Sequence, residues 1–444
     1  MYSKEIESLF KSKDIAIGDS ISLTIGDDKF TGTIMPRPDV GDAAILVLKQ
    51  SNGYNIGLRI GKGATIEKLG SMHKTFDRPR AAQPADRPLP RISMIYTGGT
   101  IGSKVDYVTG GVYSLTRPEE LIADVPELAE IAEFKISNPF SILSEDMTYR
   151  EWQTIAKHAA EELNSGSRGI VITHGTDTMH FTASALSFML SGLNAPVVLT
   201  GAQRSSDRGS SDAFTNLICS FHAAARSNIA EVGICMHSTS SDTYCDFIRG
   251  TKARKMHTSR RDAFKPVNNL PIARITPGGG IEYLSAHREL SKENKSKVVA
   301  NTKFDNSVAL IKAYPNSDPA VIDYYLGKGC KGIIIEGTGL GHVPTSPSDL
   351  ALSWISHVKR ANDSGVVVGV TSQTLYGRVS ENVYRNLRIL SEAGAVHCED
   401  MLPEAAYVKL GWLLANSKKE QVKGLLKTNL VGEITQRTET DWFV

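Results

Sequence analysis

Ile92-Ser93-Met94-Ile95-Tyr96-Thr97-Gly98-Gly99-Thr100-Ile101-Gly102 is the run on which the fold of this chain turns. The apolar run Ile92–Tyr96 reads as a short buried strand, and it ends in two glycines flanked by two threonines. The glycines permit a sharp turn and leave backbone N–H groups open to a ligand, and the threonines put hydroxyls at the carboxyl edge of a sheet. Active sites of open α/β folds are built at such edges. Val171-Ile172-Thr173-His174-Gly175-Thr176-Asp177-Thr178 repeats the pattern and sets a carboxylate beside the hydroxyls. Two strand ends of this composition in one chain point to an enzyme.

From Arg91 onward strands and helices alternate. Ile92–Tyr96, Gly169–Thr173, Val197–Thr200 and Val232–Met236 read as strands, while Tyr149–Leu163, Ser184–Ser191 and Ser211–Arg226 have helical apolar spacing. The rhythm predicts an α/β fold with a mostly parallel sheet and helices on both faces. Charged, weakly patterned sequence around Leu284–Asn306 joins it to a second α/β lobe. That lobe has strands at Ser307–Lys312, Gly332–Glu336 and Val366–Val370, and helices near Pro319–Leu326, Pro347–Ala361 and Glu381–Ala393. Ser346 is the candidate N-cap of the middle helix, with Pro347 at its first position.

Before Arg91 the pattern differs. Ile21–Ile25, Phe30–Met35, Ala44–Leu48 and Tyr54–Leu58 are short strands separated by the turn signals Gly26-Asp27-Asp28 and Asn52-Gly53, a spacing that suggests a small β-barrel. Lys74–Leu89 carries three prolines and four lysines or arginines and reads as an exposed linker. The expected layout is a barrel over 1–73, a linker over 74–90, a large α/β domain over 91–290, a connector over 291–306 and a smaller α/β domain over 307–444.

A length of 444 residues fits two or three domains. The net charge of +2 and a pI near 8.1 do not mark a basic nucleic-acid protein. Five scattered cysteines, with no C-x-x-C spacing, argue against zinc ribbons and disulfides and fit a reducing cytoplasm. The charged start Met1-Tyr2-Ser3-Lys4-Glu5 is no secretory signal, and no apolar run approaches the roughly 18 residues of a membrane span. A soluble, cytoplasmic protein is expected. Gly337-Thr338-Gly339-Leu340-Gly341-His342 fails the dinucleotide fingerprint at His342, and no P-loop, H-E-x-x-H or G-x-S-x-G run is present.

Threonine is a weak nucleophile until a base or polarising neighbour activates it. Thr100 stands where such activation is possible, and Tyr107 lies close by in the segment Asp106-Tyr107-Val108-Thr109-Gly110-Gly111, which a mobile loop would bring to it. The same spacing also allows Thr100 merely to cap a turn and Tyr107 to be a surface residue. At Thr176-Asp177 the carboxylate can hold a substrate ammonium while the hydroxyl faces the reacting carbonyl, or either residue can be a helix N-cap. Lys252-Ala253-Arg254-Lys255-Met256-His257 offers two lysines to that pair, or forms a solvated face. Ser144-Glu145-Asp146 adds one more polar strand end or a simple turn.

Taken together, Thr97-Gly98-Gly99-Thr100-Ile101, Ser144-Glu145-Asp146-Met147, Thr173-His174-Gly175-Thr176-Asp177-Thr178-Met179, Lys255-Met256-His257 and Asp262-Ala263-Phe264 resemble the L-asparaginase family of bacterial type. The resemblance runs from about Arg91 to near the carboxyl terminus. Phe30-Thr31-Gly32-Thr33-Ile34-Met35-Pro36-Arg37 resembles the extension on the asparaginase-like D subunit of the archaeal glutamyl-tRNA(Gln) amidotransferase. It implies a two-lobed asparaginase-like enzyme that releases ammonia from glutamine or asparagine for a partner, the E subunit of the amidotransferase. No cofactor is expected in this chain, with ATP and Mg at the partner, tRNA bound mainly through that partner, and a homodimer of this chain. Carried onto matching positions, the resemblance implies Thr100 as nucleophile assisted by Tyr107, and Thr176, Asp177 and Lys255 as a second catalytic group. Ser144 and Asp177 would hold the α-carboxylate and α-ammonium. Glu145 stands where many asparaginases carry glutamine, which alters the hydrogen bonding offered to substrate. A freestanding asparaginase with an appended barrel, or a non-catalytic scaffold that docks a partner, are the alternatives.

Overall fold

The structure, a computed structural model, describes residues 2–35, 41–50, 55–61, 63–71, 88–105, 112–114, 125–206, 211–291, 293 and 296–443. Linker positions 74–87 and the Asn52-Gly53 turn lie outside that set. At the amino end, five antiparallel strands lie in the order Asn55–Arg59, Ile45–Lys49, Asp28–Ile34, Asp19–Ile25, Thr65–Ser71. Among the described residues no pairing joins the two outer strands. The sequence pattern does not announce the helix Lys4–Ser12, whose Ile6 and Phe10 pack with Ile21, Leu23, Leu46 and Leu48. An amphipathic helix of nine residues is marginal alone, and this apolar face is what holds it.

Eight strands form the sheet of the large lobe, in the order Ile281–Tyr283, Ala273–Ile275, Cys245–Arg249, Val232–His237, Val197–Thr200, Ile170–Thr173, Arg91–Tyr96, Glu133–Ser137. The last five are mutually parallel and the first three are antiparallel additions. Every side chain of Ile170–Thr173 and Val197–Thr200 is buried, as a parallel strand covered on both faces requires. Helices Tyr149–Asn164 and Met179–Met189 contribute to the core on one face, and Ala213–Arg226 to the core on the other. Tyr149–Asn164 begins at a capping box in which Thr148 and Glu151 satisfy each other's backbone N–H groups.

The small lobe is a four-stranded parallel sheet, Val308–Lys312, Gly332–Gly337, Val367–Ser372, Val396–His397. The helix expected from Pro347 starts only at Ile355. Asp349 instead caps a short 3-10 turn, Leu350–Leu352, by accepting from the Ala351 N–H, and buried Trp354 ties back to Pro344. Pro403–Asn416 is not visible as a sequence pattern because its apolar residues surround the helix instead of forming a stripe: it is packed between the lobes. Two ion pairs with fully buried side chains, Lys252–Asp400 and Lys409–Glu433, both at 0% exposure, lie here, the first running between the lobes.

Candidate active site

Parallel pairing sets the strand ends side by side, with Tyr96 opposite Thr173 and Thr173 opposite Thr200. Past the edge, the Thr97 N–H and hydroxyl both donate to the Thr173 carbonyl, at 3.3 and 2.7 Å. Gly98 and Gly99 then turn with φ of 101° and 86°, conformations that favour glycine. A Cβ on Gly99 would stand 2.4 Å from the Gly175 nitrogen, so the two hydroxyl-bearing turns are in direct backbone contact. Half-buried Thr100 opens the 3-10 turn Thr100–Gly102 next to that contact.

The loop before helix Tyr149–Asn164 joins the same place. The Ile142 N–H donates to the Thr97 carbonyl at 3.1 Å, and the Thr178 hydroxyl donates to the Ser144 carbonyl at 2.6 Å. A Cβ on Gly175 would stand 2.7 Å from that of Ser144, which places buried Ser144 hard against the second turn. Glu145 is exposed beside it. Tyr107 lies outside the described residues.

Lys255 reaches the second turn from the hairpin Ala253–Lys255/Phe264–Pro266, where it pairs with Phe264. Its Nζ donates to Thr176 Oγ1 at 2.8 Å and to Asp177 Oδ1 at 2.7 Å. The lysine side chain is 10% exposed and the carboxylate 67%, so the hydroxyl and amine are sheltered while the carboxylate faces outward. Lys252, the other lysine of the run, is committed elsewhere: it is fully buried on Asp400. Thr176 and Asp177 do not cap the next helix, whose N-cap position is Thr178.

His174 lies beneath the turn. Its Nδ1 is 2.6 Å from the Gly175 carbonyl, which can only accept, so Nδ1 carries the proton and Nε2 accepts from the Thr182 hydroxyl at 2.8 Å. Complete burial pushes this imidazole's pKa down to about 4, keeping it neutral. His180 is held to about 3 by burial first and by Arg254 and Lys255 next.

A third strand end takes part that the motifs do not mark. After Val197–Thr200 the chain runs Gly201-Ala202-Gln203-Arg204, and Gln203 Oε1 lies 3.5 Å from Thr176 Oγ1. The N–H groups of Gln203 and Arg204 donate into the fully buried Asp212 carboxylate at 3.0–3.1 Å, which Asn216 Nδ2 also holds at 3.0 Å. Applying the strand-end rule to Thr200 would have found Gln203, which lies three residues past it as Thr100 and Thr176 lie past Thr97 and Thr173; a carboxamide stands there in place of a hydroxyl and draws no notice. An apolar cavity of about 430 Å³, lined by Met147, Trp152, Phe181, Leu310 and Tyr407 among others, adjoins Thr178. Among the described residues no group of three His, Cys, Asp or Glu is placed to hold a metal, and no helix is long and apolar enough to cross a membrane.

The arrangement therefore offers two adjoining turns, one bearing Thr100 and one bearing a Thr–Lys–Asp group, with backbone N–H groups at both. Such a set is suited to acyl transfer at a carbonyl. Comparison with known proteins agrees with that chemistry. Residues 91–288 match the family described as asparaginase, N-terminal; residues 307–425 match the glutaminase/asparaginase C-terminal domain; residues 15–69 match the GatD N-terminal domain. The chain is 47% identical over 448 residues to the D subunit of glutamyl-tRNA(Gln) amidotransferase from Pyrococcus furiosus, covering 99% of each. It is 43% identical over 445 residues to the D subunit of the same enzyme from Methanothermobacter thermautotrophicus, covering 100% of this chain and 99% of that one. Among solved structures, the thermostable L-asparaginase from Thermococcus kodakarensis matches with a TM-score of 0.68 at 28% identity, over 78% of this chain and 99% of that one. L-asparaginase I from Vibrio cholerae matches with a TM-score of 0.67 at 33% identity, over the same shares.

Proposed function

Because the chain belongs to the family of glutamyl-tRNA(Gln) amidotransferase D subunits, we propose that its two turns form the glutaminase site of that enzyme. The chain is the amidohydrolase component, built on an asparaginase-type fold, and the family name places it in a complex with another component of the amidotransferase. In our reading that other component is the E subunit, which binds the tRNA and uses ATP and Mg to activate the mischarged glutamate. The near-neutral charge of this chain supports leaving the tRNA mainly to the partner. Cytoplasmic residence and a homodimer of this chain complete the proposal.

The chemistry follows from the placement of the side chains. Thr100 Oγ1 attacks the side-chain carboxamide carbon of glutamine as its hydroxyl proton passes to the amide nitrogen; the C–N bond breaks and ammonia leaves, giving a glutamyl ester on Thr100. Water then attacks the ester, giving a proton to the Thr176–Lys255 pair, which returns it to Thr100 Oγ1 as the ester C–O bond breaks and glutamate is released. Backbone N–H groups of the two turns would hold the oxyanion in both steps, and each such donor is worth on the order of 100-fold or more in turnover. Asp177, exposed and beside the site, would bind the substrate α-ammonium, and Ser144 its α-carboxylate. Tyr107 would assist Thr100.

The observation that carries this reading is the position of Lys255 Nζ, bonded at once to Thr176 and Asp177 beside the Gly99–Gly175 contact. The test is ammonia release from glutamine by the chain alone and with its partner, Glu-tRNA(Gln) and ATP. A many-fold rise with the full set is expected. Full glutaminase or asparaginase activity of the isolated chain, unaffected by the partner, would favour a freestanding asparaginase instead.

A further inference from the structure

Thr176 Oγ1 has a second polar neighbour besides Lys255, the Gln203 carboxamide, and nothing in the motifs singles that residue out. The hydroxyl holds one proton. With Lys255 as an ammonium donating to Oγ1 at 2.8 Å, the Thr176 proton goes to an acceptor, and Gln203 Oε1 is the acceptor at 3.5 Å. For the pair to act as a base the opposite is needed: Lys255 must be a neutral amine, and the hydroxyl must donate to it. Oγ1 then requires a donor from the other side.

Gln203 is built to supply either. Its backbone is fixed through Asp212, and the segment is pressed onto the turn: a Cβ on Gly201 would stand 3.1 Å from Thr176 Cγ2 and 2.6 Å from the His174 carbonyl. Its Nε2, by contrast, is buried and has no hydrogen-bond partner among the described residues. The terminal torsion of glutamine is roughly two-fold, so half a turn exchanges oxygen and nitrogen without breaking any bond that Nε2 makes. In the exchanged state Nε2–H donates to Thr176 Oγ1, and the hydroxyl proton is directed at Lys255 Nζ.

We propose that Gln203 is a positioning residue that sets the direction of the Thr176 proton, accepting it while Lys255 is charged and donating to Oγ1 once Lys255 is neutral. This rests on the assignment of Thr176 and Lys255 as the proton-transfer pair. Glutamate at the same place can only accept while ionised, so it holds Lys255 in the charged state; methionine removes both roles at similar volume.

The test uses the chain in its complex with the amidotransferase partner, measuring glutaminase kcat and KM across pH for Gln203→Met, Gln203→Glu, Thr176→Val and Lys255→Met. Gln203→Met is expected to lower kcat about 10-fold, a part of the ~100-fold typical of a positioned base, with KM nearly unchanged. A carboxylate favours the Lys255 ammonium, so Gln203→Glu moves the acid limb of the kcat profile up by about one pH unit or more. The proposal is overturned if both Gln203 variants keep wild-type kcat and pH profile while Thr176→Val abolishes turnover. If Thr176→Val and Lys255→Met themselves keep full turnover, the underlying assignment of the pair falls, and this proposal with it.

Discussion

Lys255 is the residue on which the chemistry is most concentrated. It is sheltered, it donates to a hydroxyl, and it donates to a carboxylate that water also reaches. Lys255→Met is expected to lower glutaminase kcat by about 100-fold or more, the usual worth of a positioned acid–base group, with a smaller change in KM. Asp177→Asn should behave differently. It removes the charge that orients Lys255 and the charge proposed to hold the substrate ammonium, so KM and kcat are expected to worsen together in steady-state kinetics. The sequence is informative here where side chains announce themselves. Thr100, Thr176, Asp177 and Ser144 stand out because hydroxyls and carboxylates follow apolar strands. Spacing alone does not choose between Lys252 and Lys255, and the family resemblance picks Lys255; the physical reason lies in a hairpin and in Asp400, a residue distant in sequence. Gln203 is legible only as a position three residues past a strand end; its contact with Thr176 arises when the strand Val197–Thr200 is laid beside Ile170–Thr173.

Among the elements, the site is made by the backbone contact between the turns after two adjacent strands. Gly99→Ala puts a Cβ 2.4 Å from the Gly175 nitrogen and forces a left-handed φ on alanine, a strain of about 1–3 kcal/mol before the clash is counted. Loss of nearly all turnover and a lowered thermal midpoint are expected. His174 adds a pH dependence to the same turn. An unfolded imidazole binds a proton near pH 6.5, whereas folded His174 refuses one until about 4. Between those values the unfolded state binds more protons, so stability present above about pH 6.5 is lost as pH falls toward about 4, on the order of 3 kcal/mol. Urea unfolding at stepped pH should show that decline, and His174→Asn, which does not titrate, should show a shallower one. Strands are easier to read than helices here: the parallel strands are buried apolar runs, whereas Pro403–Asn416 is buried nearly all round and shows no stripe.

Across the molecule, the lysine proposed to be catalytic and the lobe junction share one short segment. Lys252 anchors it to Asp400 in the small lobe, Arg254 pairs at 2.7 Å with Glu404 at the start of helix Pro403–Asn416, and Lys255 serves the site. Asp400 also accepts from the Thr435 N–H and hydroxyl, so the carboxyl-terminal segment is tied to the same point. Burial pushes the Lys252 pKa down and Asp400 opposes that shift, which leaves the ammonium dependent on its partner. Asp400→Asn strands a buried charge and is expected to cost about 3–5 kcal/mol in denaturant unfolding. Replacing both partners by apolar residues of similar volume should cost much less. The long-range pairings that make this junction have no local signature, which is why the alternation of strands and helices predicts two lobes but not what clamps them.

In the proposed chemistry Thr100 takes the acyl group and the Thr176–Lys255 pair releases it. Peptide mass analysis of the Thr176→Val enzyme, quenched during turnover of glutamine in its complex, separates those two roles. A glutamyl ester is predicted on the peptide carrying Thr100, accumulating while steady-state ammonia release falls. An acyl group on any other residue, or undiminished turnover with no adduct at all, would contradict it.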